Sequence, residues 1–139
     1  MLDLITQAAK NFLNNDLELK TQTYKDSVDN GYISLISTTA ITDKYEVYIV
    51  SSLDFLKLVS NVMLFDDNPD DATMEDLNKE LNNIIVGSAK VLAEQQEREI
   101  FDISTPKSFG NKTFDMEYDS FSSLSEDDKA MTIAIKKIS

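Results

Sequence analysis

The 139-residue chain is long enough for one domain with a real core, taken here as residues 1–139. Its net charge of −12, with no basic stripe to release counterions, argues against nucleic acid or an anionic membrane as a partner. Cysteine and histidine are both absent, which removes disulfides, thiolate metal sites, the imidazole base and the usual zinc ligand.

In chain order, Leu2, Leu4, Ile5, Ala8, Ala9, Phe12 and Leu13 follow a helical period that Asn14-Asn15-Asp16 breaks. The opening segment thus reads as an amphipathic helix rather than a secretion signal, and no apolar run approaches the roughly 20 residues that cross a bilayer. A cytoplasmic protein is expected. Leu17, Leu19, Thr21 and Thr23 alternate with polar residues as in a strand. The β-rich runs at 32–38 and 44–50 then flank Ala40 to Asp43 as a hairpin. The run 51–65 has a serine cap, Asp54 behind it and apolar residues at 53, 56, 59, 62 and 63, which predicts a second helix docked on the sheet. The acidic loop DDNPDD reads as a solvated turn. Asp66, Asp67, Asp70 and Asp71 lack the order and the twelfth-position glutamate of a calcium loop. A third, long helix is predicted from Thr73, with Asp76 completing a capping box, to about Leu92. Strands FDIST, TFDMEY and AMTIAIKKI close the chain. Helices and strands come in blocks, which predicts an α+β fold with a mixed, largely antiparallel sheet covered by three helices.

On the long helix, Leu77, Leu81, Ile84, Ile85, Ser88, Val91 and Leu92 fall on one apolar arc, the expected core face. Asp76, Glu80, Asn83 and Gly87 form an adjacent stripe about 60° wide. A glycine inside a helix costs roughly 1 kcal/mol relative to alanine, so either the sheet or a partner should approach closely at Gly87.

These residues resemble the CheC, CheX and FliY phosphatases of bacterial chemotaxis. The signature of that family is Asp or Ser, three residues, Glu, two residues, Asn, then a proline after twenty-two more; Asp76, Glu80, Asn83 and Pro106 satisfy it. The text ELNNIIVGSAK followed by ISTP looks like the single-motif CheX branch, although only Gly31 represents the glycines that such chains carry in the strands before the motif helix. A decoy, Asp71, Glu75 and Asn78, has the same spacing but finds Phe101 where proline is required. It lies far around the helix, so the two sets cannot face one partner.

The resemblance implies a CheX-like α/β sandwich that pairs into a homodimer through its sheet. It also implies a substrate, the aspartyl phosphate of a CheY-like receiver domain. Such a phosphoryl group already has a Mg²⁺ ion and a lysine supplied by the receiver, so no cofactor of the phosphatase's own is expected. The missing element is a water held in line with the leaving oxygen. A carboxamide can accept one hydrogen from water and donate to a neighbouring oxygen, so Asn83 could orient the nucleophile without acting as a base. The resemblance implies that Glu80 pairs with the receiver lysine and that Asn83 enters the receiver's active site. Pro106 is expected to shape the loop beside the motif helix, and Asp76 to serve chiefly as a cap. Lys79 and Lys90 flank the stripe and could meet an acidic partner surface. The alternative is a non-catalytic module of the same fold that binds a receiver or a flagellar switch protein.

Overall fold

The computed structural model describes residues 1–139. Helix α1 (Leu2–Lys10) buries Leu4, Ile5, Ala8 and Ala9, and continues as a wider π-helical turn over Asn11–Asp16 that buries Leu13. The helix stops where expected, but little of the following alternation becomes sheet. Asn14 Oδ1 accepts from the Thr21 backbone N–H at 2.9 Å and from Thr21 Oγ1 at 2.7 Å, and Glu18 turns through φ 58. The polar side chain thus holds a return loop, and strand β1 is only Gln22–Tyr24.

Strands β2 (Asn30–Thr39) and β3 (Lys44–Ser51) form the expected hairpin. Gly31 is required there, because a Cβ would lie 2.2 Å from the Ser51 carbonyl oxygen. Helix α2 (Leu53–Leu64) starts at Ser52, whose hydroxyl accepts from the Phe55 N–H, and buries Phe55, Leu56 and Val59. Helix α3 spans Asp71–Gln95. Four strands follow: β4 (Asp102–Ile103), β5 (Lys107–Thr113), β6 (Ser120–Glu126) and β7 (Lys129–Lys137).

The sheet runs β1-β6-β7-β3-β2, with β4 and β5 laid end to end along the outer edge of β2, and every pairing is antiparallel. The α+β architecture with three helices is as expected. Two strands differ. TFDMEY is not a strand, and the hairpin β6-β7 includes a serine-rich segment with little β signature. The alternation of Phe114, Met116 and Tyr118 is real but serves another purpose. That segment crosses the sheet face away from the helices, where Phe114 and Met116 pack on Ile33, Tyr48, Val50 and Ala134. Tyr48, Phe114, Tyr118 and Phe121 form a chain of ring contacts 5.3 to 6.1 Å apart, and Glu117 pairs with Lys136 at 2.9 Å.

On the other face lies the main core. Tyr32 and Ile36 from β2, Val47 and Ile49 from β3, and Met131, Ile133 and Ile135 from β7 meet the apolar faces of all three helices. No helix is long and apolar enough to cross a membrane.

Candidate functional site

The site depends on how α3 is rotated, and that rotation is set at its first turn. Asp70, not Thr73, is the N-cap: its carboxylate accepts from the Thr73 N–H at 2.8 Å, which holds it below the usual carboxylate range. The helix therefore starts earlier than the sequence pattern implied, and Asp76 is not a cap. It stands exposed in the second turn, with Lys79 3.5 Å away. The acidic loop is also more than a solvated turn. Asp66 accepts from the Asn68 N–H, Pro69 is buried, and Asp71 accepts the Tyr32 hydroxyl. The Tyr32 phenol is pushed up to about 12, first by its burial and then by that carboxylate.

The buried face of α3 comprises Met74, Leu77, Asn78, Leu81, Asn82, Ile85, Val86, Ala89 and Ala93. This is the expected arc turned by about 70°. Ile84, Ser88 and Leu92 are only half-buried and Val91 is 49% exposed, because two asparagines occupy the centre of the face instead. Asn78 Nδ2 donates to the Tyr32 carbonyl at 3.0 Å, the Ile49 carbonyl at 3.2 Å and Ser34 Oγ at 3.3 Å, while its Oδ1 accepts from Ser51 Oγ at 2.7 Å. Asn82 Nδ2 donates to Ser34 Oγ at 3.1 Å and to the Val47 carbonyl at 3.4 Å; its Oδ1 has no partner. Apolar packing alone would tolerate a small rotation of the helix. These hydrogen bonds do not, because each misplacement strands a buried polar atom.

With α3 pinned in this way, Asp76, Glu80 and Asn83 project from the opposite side, about 180° around, and all three are exposed. Glu80 and Asn83 are three residues apart, so their Cβ atoms lie about 5 to 6 Å from each other. Neither joins an ion pair or a side-chain hydrogen bond of the chain, so the carboxylate and the carboxamide are free for a partner. Gly87 continues the stripe, and nothing lies within 4 Å of a Cβ built there, so close sheet packing does not account for it. The lysines beside the stripe are engaged within the chain, Lys79 with Asp76 and Lys90 with Asp102 at 3.8 Å.

Pro106 falls where the outer edge strand breaks. From β4 to β5 the edge advances one residue more than β2 does between Thr38 and Leu35, and proline has no N–H for the ladder. Two ties place this break along α3. A Cβ on Gly110 would lie 3.1 Å from the Glu75 carboxylate, and Asp102 is the partner of Lys90. Pro106 lies midway in the chain between these two ties, on an edge that runs beside α3. On the other flank of the stripe, Met63, Leu64, Thr73, Asp76, Leu77 and Glu80 line an open groove of about 300 Å³. The sequence reading missed that groove; its one signal was that α2 ends in the apolar run Met63-Leu64-Phe65 with no polar residue to close it.

The chain is thus an α+β protein, an antiparallel sheet backed by three helices, with an uncommitted carboxylate and carboxamide on the exposed ridge of the longest. The family described as chemotaxis phosphatase CheX matches residues 35–133. The chain therefore belongs to the CheX family of chemotaxis phosphatases. A search of curated proteins returned no match. Among solved structures, a chemotaxis protein CheX from Vibrio vulnificus is similar with a TM-score of 0.85 at 18% identity, over 98% of this chain and 95% of that one. A CheC-like superfamily protein from Shewanella sp. PV-4 is similar with a TM-score of 0.78 at 22% identity, covering 99% and 96%. A third is from a CheX-CheY-BeF3-Mg²⁺ complex of Borrelia burgdorferi, with a TM-score of 0.67 at 16% identity, covering 96% and 96%.

Proposed function

We propose that this protein hydrolyses the aspartyl phosphate of a chemotaxis response regulator, with Asn83 orienting the attacking water and Glu80 docking on the receiver's lysine. The observation that carries the reading is the contrast on α3. The glutamate and asparagine that satisfy the family signature are exposed and uncommitted, whereas the equally spaced Glu75 and Asn78 face the sheet edge and the core.

The chemistry asks little of the phosphatase. Water attacks phosphorus in line with the aspartyl oxygen, the P–O bond to the aspartate breaks, and inorganic phosphate leaves with the water's oxygen while the carboxylate is regenerated. Mg²⁺ and the lysine, both the receiver's, neutralise the charge that builds on the phosphoryl oxygens. A CheX-CheY complex with BeF3 and Mg²⁺, known for the Borrelia protein, supports a CheY-like receiver as partner and is consistent with Mg²⁺ on that receiver. Asn83 supplies position: its carbonyl oxygen accepts one hydrogen of the water and its NH₂ donates to a neighbouring oxygen. No titratable group is needed for this step, which suits a chain without histidine. Glu80, about one helical turn away, sets the register in which Asn83 enters. Pro106 and Gly87 have supporting roles, the first shaping the edge beside α3 and the second letting the partner approach the helix backbone.

A time course of a phosphorylated chemotaxis receiver from the same cell tests this reading. Catalytic amounts of the protein should shorten the phosphoryl half-life. A half-life unchanged for every receiver of that cell, with binding intact, would leave only a binding module.

A further inference from the structure

Phe65 is 91% exposed, and it follows Leu64, which is 46% exposed. Its backbone is left-handed, at φ 56 and ψ 32, a conformation that a bulky side chain adopts rarely and that glycine adopts freely. The corner is nevertheless held firmly. The Phe65 N–H donates to the Ser60 carbonyl, and fully buried Ser60 returns its hydroxyl to the Asp66 carbonyl at 2.8 Å. An exposed aromatic ring on a strained, braced corner has no folding purpose here, since neither its area nor its backbone stabilises the chain. Phe65 follows directly on Leu64, which with Met63, Thr73, Asp76, Leu77 and Glu80 lines the groove. A partner seated on Glu80 meets the edge of that groove, because Glu80 is one of its walls.

We propose that Phe65, with Leu64 and the adjoining groove, is the apolar anchor by which this protein recognises its receiver, next to the Glu80 and Asn83 contacts. The inference rests on the function proposed above. It assigns affinity and choice of receiver to the α2–α3 corner, leaving turnover to the stripe. The occupant is the rim of a receiver that presents an apolar side chain beside its active-site lysine. Asp66 and Asp67 follow the corner directly and Asp76 and Glu80 line the adjoining groove, so the matching rim should be apolar at its centre and basic around it.

The test uses the full chain with Phe65→Gly. That change removes the ring and relaxes the backbone, so the melting temperature should stay level or rise. If the anchor is real, KM for the phosphorylated receiver rises about tenfold or more while kcat is unchanged, and Phe65→Leu retains most of the affinity. Wild-type protein that accelerates dephosphorylation, with a Phe65→Gly variant of equal KM, overturns the anchor and leaves the proposed function standing. If wild type binds a beryllofluoride-loaded receiver but does not speed phosphate loss from the phosphorylated one, the enzyme reading falls, and the anchor is then judged by whether Phe65→Gly weakens binding to the beryllofluoride form by the same factor. An effect of Phe65→Gly only on self-association would assign the corner to a second copy and overturn the inference.

Discussion

Asn78 and Asn83 stand five residues apart on α3, each with a glutamate three residues before it and an aspartate seven before it, yet they have opposite surroundings. Asp71 and Asn78 are spent on the fold: one accepts from Tyr32, and the other bonds to Tyr32, Ser34, Ile49 and Ser51. Asp76, Glu80 and Asn83 look outward, and of these only Asp76 has a partner. The difference teaches that residue type and spacing do not make a site. A carboxamide tied to the core sets where the helix sits, whereas a carboxamide left untied can be spent on a substrate.

Mutations should separate the two faces cleanly. The largest effect is expected from crossing them. Asn83→Ala should lower the rate of receiver dephosphorylation by about a hundredfold or more while denaturant stability stays within about 0.5 kcal/mol, as for an exposed position. Asn78→Ala should cost about 2 to 4 kcal/mol in the same denaturation, because it opens a cavity and leaves the buried Ser51 hydroxyl without its acceptor. Comparable stability losses at the two positions would abolish the distinction.

A smaller effect of opposite sign is expected at Gly87. With nothing near the missing Cβ, Gly87→Ala should stabilise the helix by about 0.5 to 1 kcal/mol. Phosphatase activity should fall in the same variant if a partner's backbone approaches the stripe there. A gain in stability with full activity would remove Gly87 from the site.

The last effect is confined to high pH. Tyr32 is held protonated in the fold up to about 12 against an ordinary value of 10.0, so the folded state binds its proton more tightly than the unfolded chain. The resulting stability is fully present below pH 10 and is lost as the pH rises from about 10 to 12. Stability measured across that window should fall less steeply in Tyr32→Phe than in wild type; equal slopes would show that the Tyr32 proton, held by burial and by Asp71, is not coupled to folding.

Much of this arrangement was legible beforehand. The helical period of α1, the hairpin β2-β3, the Ser52 cap and the exposed stripe on α3 follow from local patterns that the fold keeps. What could not be read depended on partners distant in sequence. Asn78 and Asn82 are polar and so had no place in the expected apolar arc, which took in Val91 instead; their buried partners lie 27 to 48 residues away. Strand β5 was hidden by polar residues and by Gly110, which turns through φ 76 at a bulge against Ile33 and Ser34. Segment 114–118 alternates like a strand because it also presents one side to a sheet, but it lies on the sheet's surface rather than within it. Thr73 and Asp76 matched a capping box, and Asp70 prevailed because its carboxylate reaches the Thr73 N–H from the true first turn.

The most direct test of the central claim follows phosphoryl loss and complex formation together, with Asn83→Ala at a concentration that saturates the phosphorylated receiver. The account predicts a complex of near wild-type affinity in which the aspartyl phosphate decays at the receiver's own rate. An Asn83→Ala complex that still hydrolyses phosphate as fast as wild type would contradict it.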